Sequence, residues 1–338
     1  MVVGLLIILV LVLFLPFTVS PIERNLELFL FVMGCGAAFV SGVLDPELWM
    51  QAVRDPLHIT LAVIVAGILF RWLRKPFEKT VLSGSRIIPF RLFLALVIMA
   101  LGLISSMITA IIAALVLVAI ASVLQMDRQS EICFVILACY SIGLGAVLTP
   151  IGEPLSTIAT NKLNEDFYYL MNLLGADIVA GIFAFGVLAI LLIRPRNRSL
   201  LRPSKQTAES YISILGRGLK VYVFVLALTL LGAGFEPLIS LYLLDLHPLT
   251  LYWINMISAV LDNATLAAAE ISPAMDESTI QALLLGLLIS GGMLIPGNIP
   301  NIIAAGKLNI RSGEWARVGV PLGLLAMVVY FVILFGRQ

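Results

Sequence analysis

The sequence contains few of the residues that soluble enzymes use for catalysis. Of its 338 residues, 12% are charged, two are histidine and three are cysteine. His58 and His247 are too few for a histidine-based metal centre. Cys35, Cys133 and Cys139 lie in apolar runs, and their spacing fits neither a disulfide framework nor a metal site. No GxxxxGK[ST], HExxH or GxSxG motif occurs, so ATP-driven transport and enzymatic chemistry on a substrate are not expected.

What is present in abundance is apolar side chains. Hydrophobic residues make up 61% of the chain and the mean hydropathy is +1.08. Soluble domains are about half apolar and about a quarter charged, so this composition predicts a polytopic membrane protein. The net charge of +1 gives no indication of nucleic-acid binding, because the basic residues lie in a few segments. Residues 1–19 lack a basic leader and a small-x-small cleavage site, so they are expected to be a retained first helix.

One polar cassette occurs twice. The first copy reads SSMITAIIAA from Ser105 and then TPIGEPLSTIATNKL from Thr149. The second reads SAVLDNATLAAA from Ser258 and then IPGNIPNIIAAGKL from Ile295. Short polar runs with paired prolines leave backbone groups unpaired, which is tolerated inside a membrane only where they line a cavity or are buried in protein. Two such interruptions at corresponding positions of two halves are typical of a secondary transporter.

The distribution of basic residues predicts the topology. A membrane-spanning helix needs ~20 apolar residues. The candidate spans are 2–19, 25–44, 57–72, 131–163, 168–193, 219–234, 279–308 and 314–336, and the apolar stretches 88–124 and 237–272 carry the first parts of the cassettes. The basic segments 71–91 and 194–220 should both be cytoplasmic. A single crossing by 88–124 would separate them, so 88–124 is predicted to be a re-entrant hairpin that enters from the cytoplasm.

The same reasoning makes 237–272 a second hairpin that enters from outside, and it places both chain termini outside. The predicted fold class is therefore an all-α polytopic membrane protein with two inverted repeats, each with a re-entrant hairpin and a broken transmembrane helix. Residues 1–56 form two peripheral helices and an outer loop, in which 44–56 includes a short interfacial helix. Residues 57–193 form the first repeat, 194–218 a basic cytoplasmic linker, and 219–338 the second repeat.

Polar residues cluster at the predicted hairpin tips and helix breaks, which should meet near the membrane midplane. Freed carbonyls, hydroxyls and amides are ligands for a hard monovalent cation, whereas the N-termini of half-helices would suit an anion. The candidate ligands are Ser105, Thr109, Glu153, Ser156, Thr157, Asp262, Asn263, Thr265, Asn298 and Asn301.

Three acidic residues are candidates for proton coupling, because ionisable residues inside a membrane are rare and costly. Asp262 ranks first, Glu153 second and Asp177 third. Glu153 lies in the first Pro-x-x-x-Pro break, where the second break has Ile299. The alternatives are structural: Asp262 as a helix cap, Glu153 as a partner of its own backbone, and Asp177 as a partner of a serine or an asparagine. Glu270 is expected near the outer surface.

The second cassette also resembles a known family. Ser258–Ala269 resembles the S-A-x-x-D-N-x-x-x-x-A-A segment of NhaD-type sodium/proton antiporters, and the paired breaks resemble those of the wider ion transporter superfamily. Over residues 57–336 this resemblance implies inverted repeats, a homodimer, and cation binding by Asp262 and Asn263. The sequence departs from relatives at Thr109–Ala110, where they often carry Asn-Thr or Asp-Asn. It also lacks the Ser-Asn-Thr signature of dicarboxylate carriers.

The first hypothesis is therefore a cation/proton antiporter of the cell membrane, with sodium as the expected cation. Protons and the cation would compete for a midplane carboxylate. The second hypothesis is an ion-coupled carrier of a small organic or inorganic anion, and the third is a channel or a transporter-derived subunit. The expected partners are the ions, the lipid bilayer and a second copy of the chain. No cofactor is expected other than bound Na⁺.

Overall fold

The computed structural model describes residues 1–19, 21–22, 25–124, 126–194, 211–242, 247–261, 263–273 and 275–336. Every regular element in these ranges is a helix. The α-helices are α1 Val2–Thr18, α2 Leu26–Ser41, α3 Pro46–Ile87, α4 Phe90–Ile108, α5 Ala110–Leu124, α6 Arg128–Ala146, α7 Pro154–Leu163, α8 Tyr169–Leu192, α9 Tyr211–Tyr242, α10 Pro248–Ile254, α11 Asn263–Glu270, α12 Glu277–Gly291, α13 Ile299–Leu308 and α14 Ser312–Phe335. Short 3₁₀ segments, Asn255–Ala259 and Ile295–Gly297, precede α11 and α13.

Five of these helices are long and apolar enough to cross a membrane. They are α4, α6, α8, the first 28 residues of α9, and α14. Large apolar side chains are exposed along several helices; Phe14 is 61% exposed and Val332 62%. Apolar surface of this extent requires an apolar environment, so the prediction of an all-α multi-pass membrane protein is confirmed.

Two helices form the centre of the molecule. In the apolar stretch of α6, 89% of the residues are buried, compared with 22% in that of α14. Helix α12 is buried along nearly its whole length. Close backbone approach is required here: a side chain at Gly145 in α6 would overlap the Gly102 carbonyl of α4. The outer helices expose apolar faces, whereas α6 and α12 hold the chain segments that follow them in fixed positions.

Helices α3–α8 and helices α9–α14 contact each other through corresponding elements. Helix α5 packs against α13, and α11 packs against α7. Helix α3 packs against α5 in the same way that α9 packs against α11, and α6 contacts α8 as α12 contacts α14. Helix α9 also packs extensively against α2 and α3. The short helices α7 and α13 are therefore each in contact with a helix from the other part of the chain.

Two predicted boundaries are wrong. Residues 44–56 were expected to be an outer loop with a short interfacial helix, and 71–91 a separate basic segment between two predicted membrane elements, but α3 is continuous over Pro46–Ile87. Asp45 starts this helix by accepting a hydrogen bond from the Leu48 amide at 2.7 Å, and Pro46 occupies a first-turn position that tolerates proline. Charged residues are good helix formers, so the polar segments extend the apolar span instead of ending it.

The second predicted hairpin also begins later than expected. Helix α9 does not end near Gly234 but continues through Pro237 to Tyr242, so the first arm of this region starts at Pro248. In the predicted linker 194–218, residues from Tyr211 onward are the first turns of α9. Residues 195–210 lie outside the described part of the chain.

Candidate functional site

A cavity of about 410 Å³ lies where four helix interruptions meet. It is lined by Thr109 and Ala110 between α4 and α5, by the turn between α6 and α7, by Asn263 and Ala264 at the start of α11, and by Asn298 and Ile299 at the start of α13. All four polar regions predicted from the cassettes contribute to it. Its volume is in the range of small-ligand sites.

The cavity contains three buried polar side chains. Glu153 is 7% exposed, Asn263 4% and Asn298 5%. Asn263 Nδ2 makes no hydrogen bond to another described residue. The Asn298 amide fits beside Gly143, where any side chain would collide with Nδ2. The site therefore combines one carboxylate with two amides in surroundings largely shielded from water.

The half-helices α7 and α13 begin at the cavity with unusual caps. Glu153 and Asn298 are the N-cap residues, and in both the side chain does not accept a capping hydrogen bond from the described first turn. N-cap side chains normally bond the second or third amide of their helix. Glu153 and Asn298 both line the cavity.

Thr109 occupies a strained position at the same cavity. It lies between α4 and α5 with φ 74° and ψ 148°. This region is close to glycine-only, and it is least favourable for a β-branched residue. The Ala110 amide donates to Gly152 O at 2.9 Å, and Thr149 Oγ1 donates to Ser106 O at 2.5 Å. The α4–α5 junction is thus bonded directly to the α6–α7 turn.

Three of the predicted ligands hydrogen-bond backbone carbonyls and do not line the cavity. Ser105 Oγ donates to Gly102 O and Ile142 O, and Ser156 Oγ donates to Thr149 O and Glu153 O. Asn301 Nδ2 donates to Gly291 O and Leu294 O, each at 2.9 Å. Gly291 is the last residue of α12 and Leu294 follows it, so the Asn301 bonds satisfy carbonyls that lack a partner within the helix.

Thr157 is intermediate between the two groups. It lines the cavity while its Oγ1 donates to Pro150 O at 2.6 Å. Thr265 lies in α11 and its side chain is not described. Asp262, the first-ranked residue, lies outside the described residues, immediately before Asn263 of the cavity.

The two parts of the site share several features at fixed sequence separations. Ser105 Oγ donates to Ile142 O, and Ser258 Oγ donates to Leu287 O at 3.1 Å. Helices α7 and α13 both end at an asparagine with positive φ, Asn164 and Asn309. Leu287 lies 145 positions after Ile142, and Asn309 lies 145 positions after Asn164. The prolines of the second break, Pro296 and Pro300, lie 146 positions after Pro150 and Pro154.

The separation of 145 positions changes one sequence-based correspondence. By that count, and by position in the helix, the counterpart of Glu153 is the buried Asn298, whereas the sequence alignment had given Ile299. Both residues are N-caps and both line the cavity. Alignment by the prolines pairs the polar Glu153 with the apolar Ile299, whereas alignment by helix position pairs it with the polar Asn298. The two halves of the site therefore contribute a carboxylate and an amide at corresponding positions.

A family comparison covers almost the whole chain. Residues 2–336 match the family described as "Protein of unknown function (DUF1646)". The chain belongs to this family. No curated protein matches the sequence. The description of DUF1646 assigns no activity, so the function of this DUF1646 protein has to be inferred from its cavity.

Asp177 of the DUF1646 chain lies elsewhere. Its Oδ2 accepts a hydrogen bond from Gln281 Nε2 at 2.7 Å, and its carbonyl accepts one from Tyr330 Oη at 2.7 Å. These contacts connect α8 to α12 and α14. Asp177 does not line the cavity, so its geometry fits the structural alternative better than proton coupling.

Glu270 is a buried residue to which the sequence analysis gave no functional role. It was expected near the outer surface of the membrane, and its side chain is 1% exposed at the end of α11. The signal was available in the sequence, because Glu270 is an acidic residue directly after an apolar alanine run inside a predicted membrane segment. Its burial could not be read from the sequence, since that depends on tertiary packing.

Proposed function

We propose that this protein is a secondary active transporter that exchanges a small inorganic cation, with sodium as the first candidate, for protons. The observation that carries the proposal is the cavity at which four interruptions of apolar helices meet, with Glu153, Asn263 and Asn298 buried in its wall. Intramembrane sites of this composition are typical of ion-coupled carriers.

The ligand chemistry favours a hard cation. A carboxylate, two amide oxygens and the Thr109 and Thr157 hydroxyls are all oxygen donors of the kind such ions take. The described residues contain no cluster of three or more histidine, cysteine or acidic side chains. A monovalent cation suits the described cavity, because its single positive charge balances the single negative charge of the Glu153 carboxylate.

Competition at a carboxylate would couple the cation to protons. A buried carboxylate is costly unless it is neutralised, and either a proton or a cation neutralises it. Glu153 meets this condition in the described cavity. Asp262 is the second carboxylate of the proposal on sequence grounds, since it adjoins Asn263 in the segment that resembles sodium/proton antiporters.

Two inverted repeats with re-entrant hairpins are part of the proposal. In this reading α4–α5 and α10–α11 are the hairpins, and α6–α7 and α12–α13 are the broken helices. The reciprocal packing of α5 with α13 and of α7 with α11 supports it, as do the matching Ser105 and Ser258 hydrogen bonds. Such pseudo-symmetry would let the two halves exchange conformations around the cavity.

One observation favours an anion carrier as the second candidate. The N-termini of α7 and α13 both begin at the cavity, and helix N-termini attract negative charge. Glu153 opposes this reading, because a buried carboxylate at the same place would repel an anion unless it is protonated.

Transport by purified protein in proteoliposomes tests the proposal. With a pH gradient imposed, Na⁺, Li⁺, K⁺ or Ca²⁺ is added in turn and the internal pH is followed. Cation-dependent collapse of the gradient is expected for the wild type. Glu153→Gln and Asp262→Asn should each weaken cation dependence by roughly tenfold or more, the change that about 1.4 kcal/mol of lost binding energy produces.

Glu165→Gln is the matched control, because this carboxylate lies just beyond the end of α7 and is exposed. It should behave as the wild type does. If the wild type responds to no cation, the antiporter proposal is wrong and a screen of organic and inorganic anions follows. If cations cross without moving protons, the chain is a channel.

A further inference from the structure

A second buried carboxyl group lies outside the cavity. Glu270 is the last residue of α11, and Asn255 begins the 3₁₀ segment that leads towards α11. Glu270 is 1% exposed and Asn255 is 0% exposed. Neither residue lines the cavity. A carboxyl group removed from water to this degree needs a chemical reason to be there.

The side-chain polar atoms of this pair lack partners in the described part of the chain. Glu270 Oε1 and Oε2 and Asn255 Nδ2 and Oδ1 make no hydrogen bond of ordinary geometry to a described residue. The Asn255 side chain is close enough to act on the Glu270 carboxyl as a hydrogen-bond partner. A hydrogen bond donated by the amide favours the ionised carboxyl, so the case for the protonated form rests on the burial of Glu270 and on the unsatisfied Asn255 Oδ1.

Only one protonation state of Glu270 matches the amide. An amide presents one acceptor and donor hydrogens, whereas an ionised carboxylate can only accept. A carboxylate could pair with Asn255 Nδ2 but would leave Asn255 Oδ1 unsatisfied. A protonated carboxyl donates through its O–H and accepts through its C=O, so it can satisfy Oδ1 and Nδ2 together.

The charged side chains of the surrounding helices do not neutralise the Glu270 carboxyl in place of a proton. In α7, Lys162 Nζ donates to the neighbouring Ile271 carbonyl at 3.5 Å, and its side chain is exposed. Glu236 of α9 and Glu277 of α12 are exposed. Among the described residues, the Asn255 amide is the polar group that acts on the Glu270 carboxyl. An unpaired buried carboxylate would cost several kcal/mol, so neutralisation is favoured.

We propose that Glu270, paired with Asn255, is a buried proton-binding site separate from the cavity, and that its carboxyl is protonated in the conformation described here. Helix α11 connects the two places, since Asn263 at its first residue lines the cavity and Glu270 is its last. At ~1.5 Å per residue the separation is roughly 10 Å along one short rigid element. A shift of α11 on cation binding would move Glu270 away from Asn255 and release the proton to water.

Infrared difference spectroscopy on the purified full-length protein tests the protonation state directly. The carbonyl-stretch band of protonated carboxylic acids should lose one component in Glu270→Gln relative to the wild type, while components from cavity carboxyls that hold a proton remain. Asn255→Leu should shift the band, because it removes the amide partner. Glu165→Gln, which removes an exposed carboxyl, should leave the band unchanged. Glu270→Gln should retain wild-type thermal stability, since glutamine is close in shape to the neutral acid.

The infrared result does not depend on transport. A band that is the same in wild type, Glu270→Gln and Asn255→Leu would overturn the proposal, because Glu270 would then be ionised. If Glu270→Gln cannot be purified, the shift in Asn255→Leu decides the question alone.

The part of the inference that concerns coupling rests on the proposed function and has its own readout. In proteoliposomes, Glu270→Gln should move one proton fewer per cation while cation binding is retained. If Glu270→Gln moves the same number of protons per cation as the wild type, Glu270 does not take part in coupling. Failure of wild-type transport would refute the antiporter and leave the infrared assignment intact.

Discussion

At the scale of single residues, the cavity is marked by backbone strain as well as by polarity. Thr109 holds φ 74° and ψ 148°, a conformation that costs of order 1–3 kcal/mol for a residue with a side chain. Its Oγ1 also accepts from the Ile112 amide at 3.4 Å, so it provides a weak cap for α5. A threonine in a nearly glycine-only conformation, placed at a cavity, is consistent with a role for its hydroxyl.

Substitutions at Thr109 separate strain from the hydroxyl. Thr109→Gly relieves the strain and should raise the free energy of unfolding by about 1 kcal/mol after the lost cap is counted. Thr109→Ala keeps the strain and loses the cap, so it should lower that free energy by about 1 kcal/mol. Thermal unfolding of both variants in detergent measures the difference. Equal stabilities would mean that the positive φ carries no strain.

The residues of the site could be predicted only in part. Prolines and polar side chains inside apolar runs identified the four regions that line the cavity. Such residues leave backbone groups unpaired, and unpaired backbone inside a membrane is tolerated only where it lines a cavity or is buried in protein. Which hydroxyls face the cavity and which pair with carbonyls, as Ser105 and Ser156 do, depends on helix rotation. The counterpart of Glu153 was misassigned because the separation differs by one residue between the prolines and the helix caps.

At the scale of elements, the two central helices begin in the same way. Asp127 caps α6 by accepting from the Ser130 amide at 3.1 Å, and Asp276 caps α12 by accepting from the Thr279 amide at 3.2 Å and Thr279 Oγ1 at 2.6 Å. Hydrogen bonds from Ser278 and Thr279 lower the pKa of Asp276 to about 2 from 3.8. The caps fix where each central helix starts.

Removing either cap should destabilise the protein modestly. Asp127→Ala and Asp276→Ala should each cost about 1 kcal/mol at neutral pH. Because the pKa of Asp276 is lower in the folded state, its contribution is present above pH 3.8 and is lost as pH falls through about 2. Thermal unfolding of wild type and Asp276→Ala across that interval should therefore converge in acid. A difference that persists at the acid end would contradict the assignment.

Elements with a strong apolar pattern were predicted well, and polar helices were not. The expected spans 168–193 and 314–336 match α8 and α14 within two residues at either end. The full length of α3 was missed because hydropathy detects only its apolar middle. Its polar turns contact α9 at Val53, whose carbonyl accepts from Tyr222 Oη, and at Arg71, which lies over the Tyr211 ring. The same limitation shortened α9 at its C-terminal end.

At the scale of the whole molecule, each half completes the other's share of the cavity. Helices α5 and α7 contact α13 and α11 across the molecule, and α9 packs along α2 and α3. Charge distribution predicts an order of hairpins and broken helices, because it constrains the number of crossings, and that order stays a prediction. It could not predict the α3–α9 contact, since no local sequence pattern reports on a partner more than a hundred residues away.

The proposed inverted repeats make a prediction about sidedness that the packing alone does not make. Each variant carries one cysteine, with Cys35, Cys133 and Cys139 replaced by alanine. An impermeant maleimide should reach Ser83→Cys and Asp127→Cys from the cytoplasmic side, because the hairpin α4–α5 returns the chain to the side on which it entered. Glu165→Cys and Glu277→Cys should react from outside, because α6–α7 crosses once and α10–α11 returns to the outer face. If residues 90–124 cross the membrane once instead, Ser83→Cys and Asp127→Cys will react from opposite sides. That outcome would remove the inversion on which alternating access around the cavity depends.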